Sequence, residues 1–351
     1  MNPLQQLGVI LPIVQAPMAG VSTPELAASV CNAGALGSIG VGATDATGAR
    51  AMIDETRART DGAFNVNVFV HATARADAAR ERHWLEAMQP LFLRYGAEPP
   101  STLRTIYTSF GDDDDMLALL VETAPPVVSF HFGLPSADRI AALKQAGCTL
   151  LASATSLAEA RLVEAAGIDM VVAQGWEAGG HRGVFDPAGD DDQLGTMALT
   201  RLLATQTSLP VIAAGGIMDG AGIRAALRLG AVAAQLGTAF IACPESSADE
   251  SYRAALVSES SHHTTMTGVI SGRPARCLAN HFTRWGAECT LPAPDYPIAY
   301  DAGKALHAAA KAAGEYGFGA HWAGQGAPLH RPMPAGTLVE LLWRETSSTH
   351  D

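Results

Sequence analysis

The sequence predicts an α/β fold, a (β/α)8 TIM barrel in which eight parallel strands alternate with helices. Short β-branched runs recur between segments of helical periodicity, and several runs are apolar at consecutive positions, as in strands that helices cover on both faces. The 351 residues, 48% of them hydrophobic, suffice for one such barrel with additions. The predicted strands are 12–18, 36–41, 64–70, 127–133, 149–154, 170–175, 210–216 and 231–237.

The segments between these strands have the periodicity and the ends of helices. In residues 137–147, Ile140 and Leu143 fall on one helical face and Gly147 ends the segment. The segment 221–230 repeats the pattern. The repeating unit is therefore one strand followed by one helix.

The spacing of the strands shows where the chain departs from this repeat. The sixth and seventh predicted strands begin 40 residues apart, whereas their neighbours begin 21 or 22 apart, and the excess lies in 175–195. Loops at the carboxyl ends of barrel strands carry active sites, so we expect function there. The spacing predicts a barrel domain over 1–243, a helical insert at about 75–123 after the third strand, and a C-terminal extension over 244–351. We expect both additions to cover the barrel mouth.

Charge and cysteine usage exclude several classes of function. The chain has 23 basic and 35 acidic residues and lacks a basic cluster, which argues against nucleic-acid binding. Five cysteines without a Cys-x-x-Cys pair indicate neither a disulfide framework nor a zinc cluster. The N-terminus lacks the basic start of a signal peptide and every apolar run is shorter than 18 residues, so we expect a cytoplasmic protein that does not enter membranes.

Three glycine-containing runs at strand ends could carry chemistry. His181 lies among the glycines of 173–183, where an imidazole could act as a base near neutral pH; a turn with a surface histidine explains the run equally well. The runs 211–217 and 235–238 end the last two strands, where barrels bind phosphate through backbone amides. Ordinary turn chemistry is the alternative there.

Acidic and further glycine-rich runs suggest structural roles. The aspartates of 112–115 precede an apolar segment and predict a capped helix N-terminus. Those of 190–192 predict a solvated loop, since companion metal ligands are missing. We expect no metal site. The run 37–42 lacks the G-x-G-x-x-G order, which argues against a Rossmann site for NAD. The sequence assigns no role to Trp176, His262 or His263.

Five motifs together carry a family resemblance. They are 15–20 (QAPMAG), 129–133 (SFHFG), 174–183, 213–217 (AAGGI) and 296–304 (YPIAYDAGK). In order and spacing, and across the whole chain, they resemble class I nitronate monooxygenases, formerly called 2-nitropropane dioxygenases. The resemblance implies an FMN-dependent barrel enzyme that oxidises alkyl nitronates, notably propionate 3-nitronate, with O2 through a flavin semiquinone. The products would be an aldehyde or oxo acid and nitrite or nitrate, and the biological role detoxification.

The resemblance also implies roles for individual residues. The implied catalytic residues are His181 and His131. The implied substrate-binding residues are Tyr107, Tyr296, Tyr300 and Lys304, the last three in the C-terminal extension. The implied FMN-binding residues are Met18 through its backbone, Asn67, Gln174, Gly179, Gly215, Gly216, Gln235, Gly237 and Thr238, the last five placing the phosphate.

The sequence is compatible with two alternative functions. A flavin-dependent NADH:quinone reductase or an enoyl-acyl carrier protein reductase shares the barrel and parts of the motif set, while 129–133 and 296–304 favour the monooxygenase. A non-catalytic flavin- or phosphate-binding barrel is the alternative of a different class. The sequence leaves open the physiological nitronate, whether His181 serves nitronates or only neutral nitroalkanes, and whether the protein is a monomer or a homodimer.

Overall fold

We describe the protein from a computed structural model that covers residues 1–348. Its strands are β1 (Ile13–Gln15), β2 (Gly37–Gly40), β3 (Phe64–Phe69), β4 (Val127–His131), β5 (Thr149–Ala154), β6 (Met170–Gln174), β7 (Gly180–His181), β8 (Val211–Ala214), β9 (Ala233–Leu236), β10 (Thr264–Thr267) and β11 (Ala275–Leu278). Its α-helices are α1 (Pro3–Gln6), α2 (Pro24–Asn32), α3 (Ala46–Arg59), α4 (Ala78–Leu93), α5 (Asp114–Thr123), α6 (Ala137–Gln145), α7 (Leu157–Ala165), α8 (Thr196–Gln206), α9 (Gly220–Arg228), α10 (Thr238–Ile241), α11 (Glu250–Val257), α12 (His281–Glu288), α13 (Ile298–Ala312) and α14 (Ala335–Ser347).

Within residues 1–348, eight parallel strands form a barrel in the order β1-β9-β8-β6-β5-β4-β3-β2. The barrel closes between β1 and the start of β2, where Leu36 bonds to both sides of Val14: Leu36 N donates to the Ile13 carbonyl at 3.0 Å, and Gln15 N donates to the Leu36 carbonyl at 2.9 Å. All eight predicted strands are present, and the predicted TIM barrel is confirmed.

Alternating side chains of the strands fill the barrel interior. Val127, Leu151 and Ile212 come from three strands and pack together with Leu4 of α1, which reaches the same cluster from the N-terminus. All four are nearly or fully buried. Burial of each such side chain contributes about 1.5–3 kcal/mol to stability. Because side chains fill the interior, the barrel is a packed core, and its open side lies at the carboxyl ends of the strands.

A ring of helices surrounds the strands, and its last member comes from the end of the described chain. Helix α14 packs against both α9 and α2, which is the eighth position of the ring. At Gly220 of α9 a Cβ would lie 2.3 Å from the Glu345 Cβ and 2.4 Å from the Thr346 amide nitrogen, so the close approach requires glycine. The eighth helix of the barrel thus comes from beyond residue 243.

The helices after β3 have two different positions. Helix α5 packs between α3 and α6 in the ring, whereas α4 packs on α13, with Trp84 and Met88 in one apolar cluster with Leu306. The Asp113 carboxylate caps α5 by accepting from Met116 N at 2.9 Å, which confirms the predicted helix N-terminus. The insert and the extension therefore support each other beside the barrel.

A second, antiparallel sheet joins the loop after β6 to the extension. Its order is β10-β11-β7, and in it His181 pairs with Ala275 and Gly180 with Arg276. This short strand was not predicted from the sequence, since two residues carry no periodicity. Within residues 1–348 no helix has the length and apolar character needed to cross a bilayer.

Candidate active site

A cavity of about 730 Å³ opens at the carboxyl ends of the barrel strands, a volume typical of small-molecule and cofactor sites. Every site residue that the resemblance implies lines it. The lining residues from that set are Met18, Asn67, Tyr107, His131, Gln174, Gly179, His181, Gly215, Gly216, Gln235, Gly237, Thr238, Tyr296, Tyr300 and Lys304.

His181 lies on β7 and lines this cavity. Its Nε2 lies 2.9 Å from the Ser271 Oγ, and its ring packs 5.0 Å from that of Trp322 and 5.4 Å from that of Tyr296. Burial, with further contributions from His131 and Arg273, lowers the pKa of His181 to about 3. The imidazole is therefore neutral at pH 7 and has a lone pair with which to accept a proton.

His131 lies at the end of β4 with both ring nitrogens engaged. Its Nδ1 lies 2.8 Å from the Ser153 Oγ, and its Nε2 donates to the backbone carbonyl of His181 at 3.1 Å. Burial lowers the pKa of His131 to about 4, so it too is neutral at pH 7. This histidine holds the backbone that carries His181.

Gln174 holds the same loop from β6. Its side-chain nitrogen donates to the His181 carbonyl at 3.0 Å, and its side-chain oxygen accepts from Gly183 N at 2.7 Å. The amide thus bridges two residues of the loop that follows its own strand. One N–H of the amide remains for a ligand in the cavity.

Tyrosines and one lysine form the other side of the cavity. The rings of Tyr296 and Tyr300 lie 6.3 and 6.1 Å from that of Tyr107. Lys304 Nζ lies 4.9 Å from the ring centroid of Tyr107 and 5.2 Å from that of Tyr300, and forms no ion pair within residues 1–348. Burial raises the pKa of Tyr296 and Tyr300, which are hydroxyl donors at pH 7. This side offers a cation and O–H donors to an anion.

The loops after β8 and β9 bring glycine backbone to the opposite side. Gly215 and Gly216 have φ of +126° and +68°, which glycine adopts at little cost. A Cβ on Gly215 would lie 2.6 Å from Thr196 Oγ1, so that position has no room for a side chain. The Thr238 hydroxyl accepts from Gly324 N at 3.0 Å and retains its own proton for a ligand.

Comparisons with known proteins identify the family. A model of the nitronate monooxygenase family matches residues 2–345. The chain is 66% identical to a nitronate monooxygenase of Paraburkholderia phytofirmans over 97% of this chain and 94% of the relative. It is 56% identical to one of Pseudomonas aeruginosa over 97% of each. The chain belongs to the nitronate monooxygenase family.

Solved structures of similar proteins agree with this membership. The nitroalkane oxidase of Streptomyces ansochromogenes superposes with a TM-score of 0.89 at 40% identity, over 99% of this chain and 98% of that one. FabK of Thermotoga maritima gives 0.75 at 31% identity, over 99% and 96%. The predicted nitronate monooxygenase membership, and with it the prediction of an enzyme that is an oxidoreductase, is confirmed.

In this member of the nitronate monooxygenase family, several residues near His181 and Tyr296 could not be predicted from the sequence. Ser271, Arg273 and Trp322 surround His181 from the extension, and His71 packs edge-on against Tyr296 with 4.9 Å between ring centroids. The Arg273 guanidinium is buried and lies 4.3 Å over the Phe132 ring. Nothing local to the run 272–276 indicates that it lies near His181, because only the pairing of β7 with β11 brings the two together.

The loop after β6 also corrects one expectation about the acidic run 190–192. Asp191 is not simply solvated, because its carboxylate forms a bidentate pair with the buried Arg182 at 2.8 and 2.9 Å. Trp176 does not line the cavity: the guanidiniums of Arg182 and Arg276 lie 5.6 and 5.3 Å from its ring centroid. In residues 1–348 no three His, Cys, Asp or Glu side chains are grouped to hold a metal ion.

Proposed function

We propose that this protein is an FMN-dependent enzyme that oxidises alkyl nitronates, with propionate 3-nitronate as the expected substrate, and uses O2 as the oxidant. The observation that carries the proposal is that one cavity joins a glycine-lined backbone cradle on one side to a neutral histidine, tyrosine hydroxyls and a lysine on the other. This lysine, Lys304, forms no ion pair within residues 1–348. The products would be a carbonyl compound and nitrite or nitrate. The names of the relatives support the reaction class.

The residues of the cradle fit the phosphate end of a flavin mononucleotide. Gly215 and Gly216 have positive φ, and at Gly215 a Cβ would clash with Thr196, so backbone alone faces the cavity there. The loops after the last two strands of a barrel are the usual phosphate site. Gln235, Gly237 and Thr238 would join these glycines at the phosphate, while Asn67, Gln174 and the Met18 backbone would hold the ring system. When bound, FMN supplies one-electron acceptance and reaction with O2.

The tyrosine and lysine side fits an anionic substrate. A nitronate carries negative charge on its nitro oxygens, and propionate 3-nitronate carries a carboxylate as well. Lys304 and the hydroxyls of Tyr107 and Tyr300 can hold these groups by charge-assisted hydrogen bonds. The Tyr296 hydroxyl is buried, lines the cavity and has no hydrogen-bond partner within residues 1–348, so it is free to donate to the substrate.

His181 acts as a general base when the substrate is a neutral nitroalkane. Such a molecule must lose its α-proton before it becomes a nitronate, and a neutral imidazole beside it can accept that proton. A preformed nitronate has no such requirement, and for it His181 serves only as a packing partner. His131 and Gln174 keep the His181 backbone in place for both substrates.

An anaerobic mixing experiment tests the proposal. The purified protein is mixed with propionate 3-nitronate or with NADH while its visible absorbance is followed. We expect a flavin band that the nitronate changes rapidly to the one-electron-reduced form and that NADH leaves unchanged, followed by nitrite or nitrate once O2 is admitted. Full bleaching by NADH alone would instead assign the chain to the flavin-dependent quinone or enoyl reductases. If the purified protein has no flavin band and added FMN does not restore one, the cofactor assignment is overturned.

A further inference from the structure

A buried serine determines the hydrogen-bonding state of the His181 ring. Ser271 has no exposed surface and lies in the turn between β10 and β11. Its Oγ lies 3.2 Å from the backbone carbonyl oxygen of Arg273 and 2.9 Å from His181 Nε2. A carbonyl oxygen only accepts, and two acceptors facing each other would repel, so the single Ser271 hydroxyl proton is directed to Arg273. The Ser271 oxygen is left to accept from Nε2–H of His181.

This arrangement fixes which nitrogen of His181 has the lone pair. A neutral imidazole has one N–H, and with that proton on Nε2 the lone pair is on Nδ1. Among residues 1–348, Nδ1 of His181 has no hydrogen-bond partner, and the residue lines the cavity. Burial lowers the pKa of the imidazole to about 3, which keeps it neutral and makes the choice of tautomer meaningful at pH 7.

The neighbouring histidine shows the contrasting case. Nε2–H of His131 donates to the His181 carbonyl, and its Nδ1 therefore accepts from the Ser153 hydroxyl. Both nitrogens of His131 are occupied within the protein. Of His131 and His181, only His181 has a ring nitrogen without a hydrogen-bond partner in the described part of the chain.

We propose that Ser271 is a positioning residue that holds His181 as the Nε2–H tautomer, so that Nδ1 is the atom that takes the α-proton of a neutral nitroalkane. This inference rests on the proposed function of His181 as a base. In the step, the α C–H bond breaks, its electron pair stays on the substrate as the nitronate, and the proton forms the Nδ1–H bond. The imidazolium so formed donates from Nε2 to Ser271, a charge-assisted bond stronger than the neutral one. The step needs no oxidant.

Nitrogen-15 NMR of histidine-labelled protein tests the tautomer without any activity measurement. The shifts of the two ring nitrogens distinguish a protonated from an unprotonated nitrogen, and the spectrum of His181→Asn identifies the His181 signals by their loss. We expect the wild-type protein to have protonated Nε2 and unprotonated Nδ1, and Ser271→Ala to show a mixture of both tautomers. A wild-type spectrum with protonated Nδ1 overturns the proposal, whether or not the alanine variant folds.

Kinetics with two substrates separate positioning from general damage. Loss of the acceptor in Ser271→Ala should lower kcat on a neutral nitroalkane about tenfold, while kcat on the preformed nitronate stays within about twofold, and Ser271→Thr should restore most of the loss. Ser261→Ala, a buried serine away from the cavity, should change neither the spectrum nor the rates. Equal losses on both substrates in Ser271→Ala overturn the proposal. A wild-type protein that oxidises neither substrate overturns the proposed function instead, and the NMR result still decides the role of Ser271.

Discussion

The ring of His131 donates from Nε2 to the backbone carbonyl of His181 at 3.1 Å, and the same carbonyl accepts from the Gln174 amide at 3.0 Å. Two side chains, from the barrel strands β4 and β6 on either side of β5, thus hold the two-residue strand β7, which lies outside the barrel. His131, on a barrel strand, thus holds His181, on the short strand outside the barrel, through a hydrogen bond to its backbone. We expect the two histidines to differ in function although burial lowers the pKa of both.

Replacing His131 should therefore impair every substrate alike. In His131→Leu the carbonyl of His181 loses one of its donors and the loop shifts, and displacements of about 1 Å at a reacting group cost on the order of 100-fold. We expect roughly 10- to 100-fold lower kcat/KM with both nitronate and neutral nitroalkane. The exposed His83 on α4 provides the control, and His83→Leu should match the wild type. A loss confined to the nitroalkane would show that His131 is itself the base.

Replacing His181 should discriminate between substrates. We expect His181→Asn to lower kcat/KM for a neutral nitroalkane by about 10²–10⁴, the usual contribution of a general base, and to change the value for the preformed nitronate only a few-fold. Steady-state rates with both substrates, measured on protein of equal flavin content, check this. If both rates fell together, the base assignment would be wrong.

Removing the cation at the cavity entrance should weaken anion binding. Lys304 lies over two tyrosine rings and has no ion-pair partner in the described part of the chain, so Lys304→Met should raise KM for the nitronate about tenfold, which is about 1.4 kcal/mol of lost attraction. The neutral nitroalkane should be affected much less. Lys144→Met, which removes the ion pair with Asp169 on the outside of the barrel, is the matched control. An unchanged KM for the nitronate would remove Lys304 from the binding site.

Filling the glycine cradle should release the cofactor. A methyl group at Gly215 would meet Thr196 Oγ1 at 2.6 Å and force the loop out of its φ of +126°, so we expect Gly215→Ala to fold but to be purified with little flavin. Gly147→Ala also introduces a side chain at positive φ, +93°, but into open space away from the cavity. It should lose about 1 kcal/mol of stability and retain its flavin. Full flavin occupancy in Gly215→Ala would contradict the proposed phosphate position.

Stability should depend on pH through the buried histidines. Burial, with Arg273 contributing, lowers the pKa of His71 from 6.5 to about 4. The unfolded chain therefore takes up a proton near pH 6.5 that the folded protein does not accept until about pH 4, and the folded state loses stability as the pH falls between these values. In His71→Phe the loss of unfolding free energy between pH 7.5 and 5 should be about 2 kcal/mol smaller than in the wild type. Urea unfolding at both pH values measures it, with His83→Phe as an exposed control.

The strand and loop positions could be predicted because they depend on local pattern. Runs such as 127–133 and 210–216 are apolar on both faces, and parallel strands necessarily bring their carboxyl ends to one side. That reasoning alone places His181 and the glycine loops at the mouth. Tyr296 and Lys304 could be assigned to the site only through the family resemblance. They lie more than 100 residues downstream of His181, and the amphipathic helix that carries Lys304 has no local feature that indicates where it packs.

The rest depends on long-range packing that no periodicity reports. Ser271 is a lone serine in a turn, and its importance arises only because β11 pairs with β7. Helix α14 has an ordinary apolar face, and nothing in its sequence says that this face completes the barrel against α9. Burial of one apolar helix face gains a similar free energy against many possible partners. The sequence of a single helix therefore does not specify which partner it packs against.

The position of α14 has a consequence for how the protein is made. A ribosome releases the eight barrel strands by residue 236, yet the ring of helices stays open between α9 and α2 until residues up to about 347 have emerged. During that interval of translation the apolar faces of both helices are uncovered and available to chaperones or to aggregation. The ring of helices therefore cannot close until α14 has been synthesised, and shortening the chain within α14 would leave the ring permanently open.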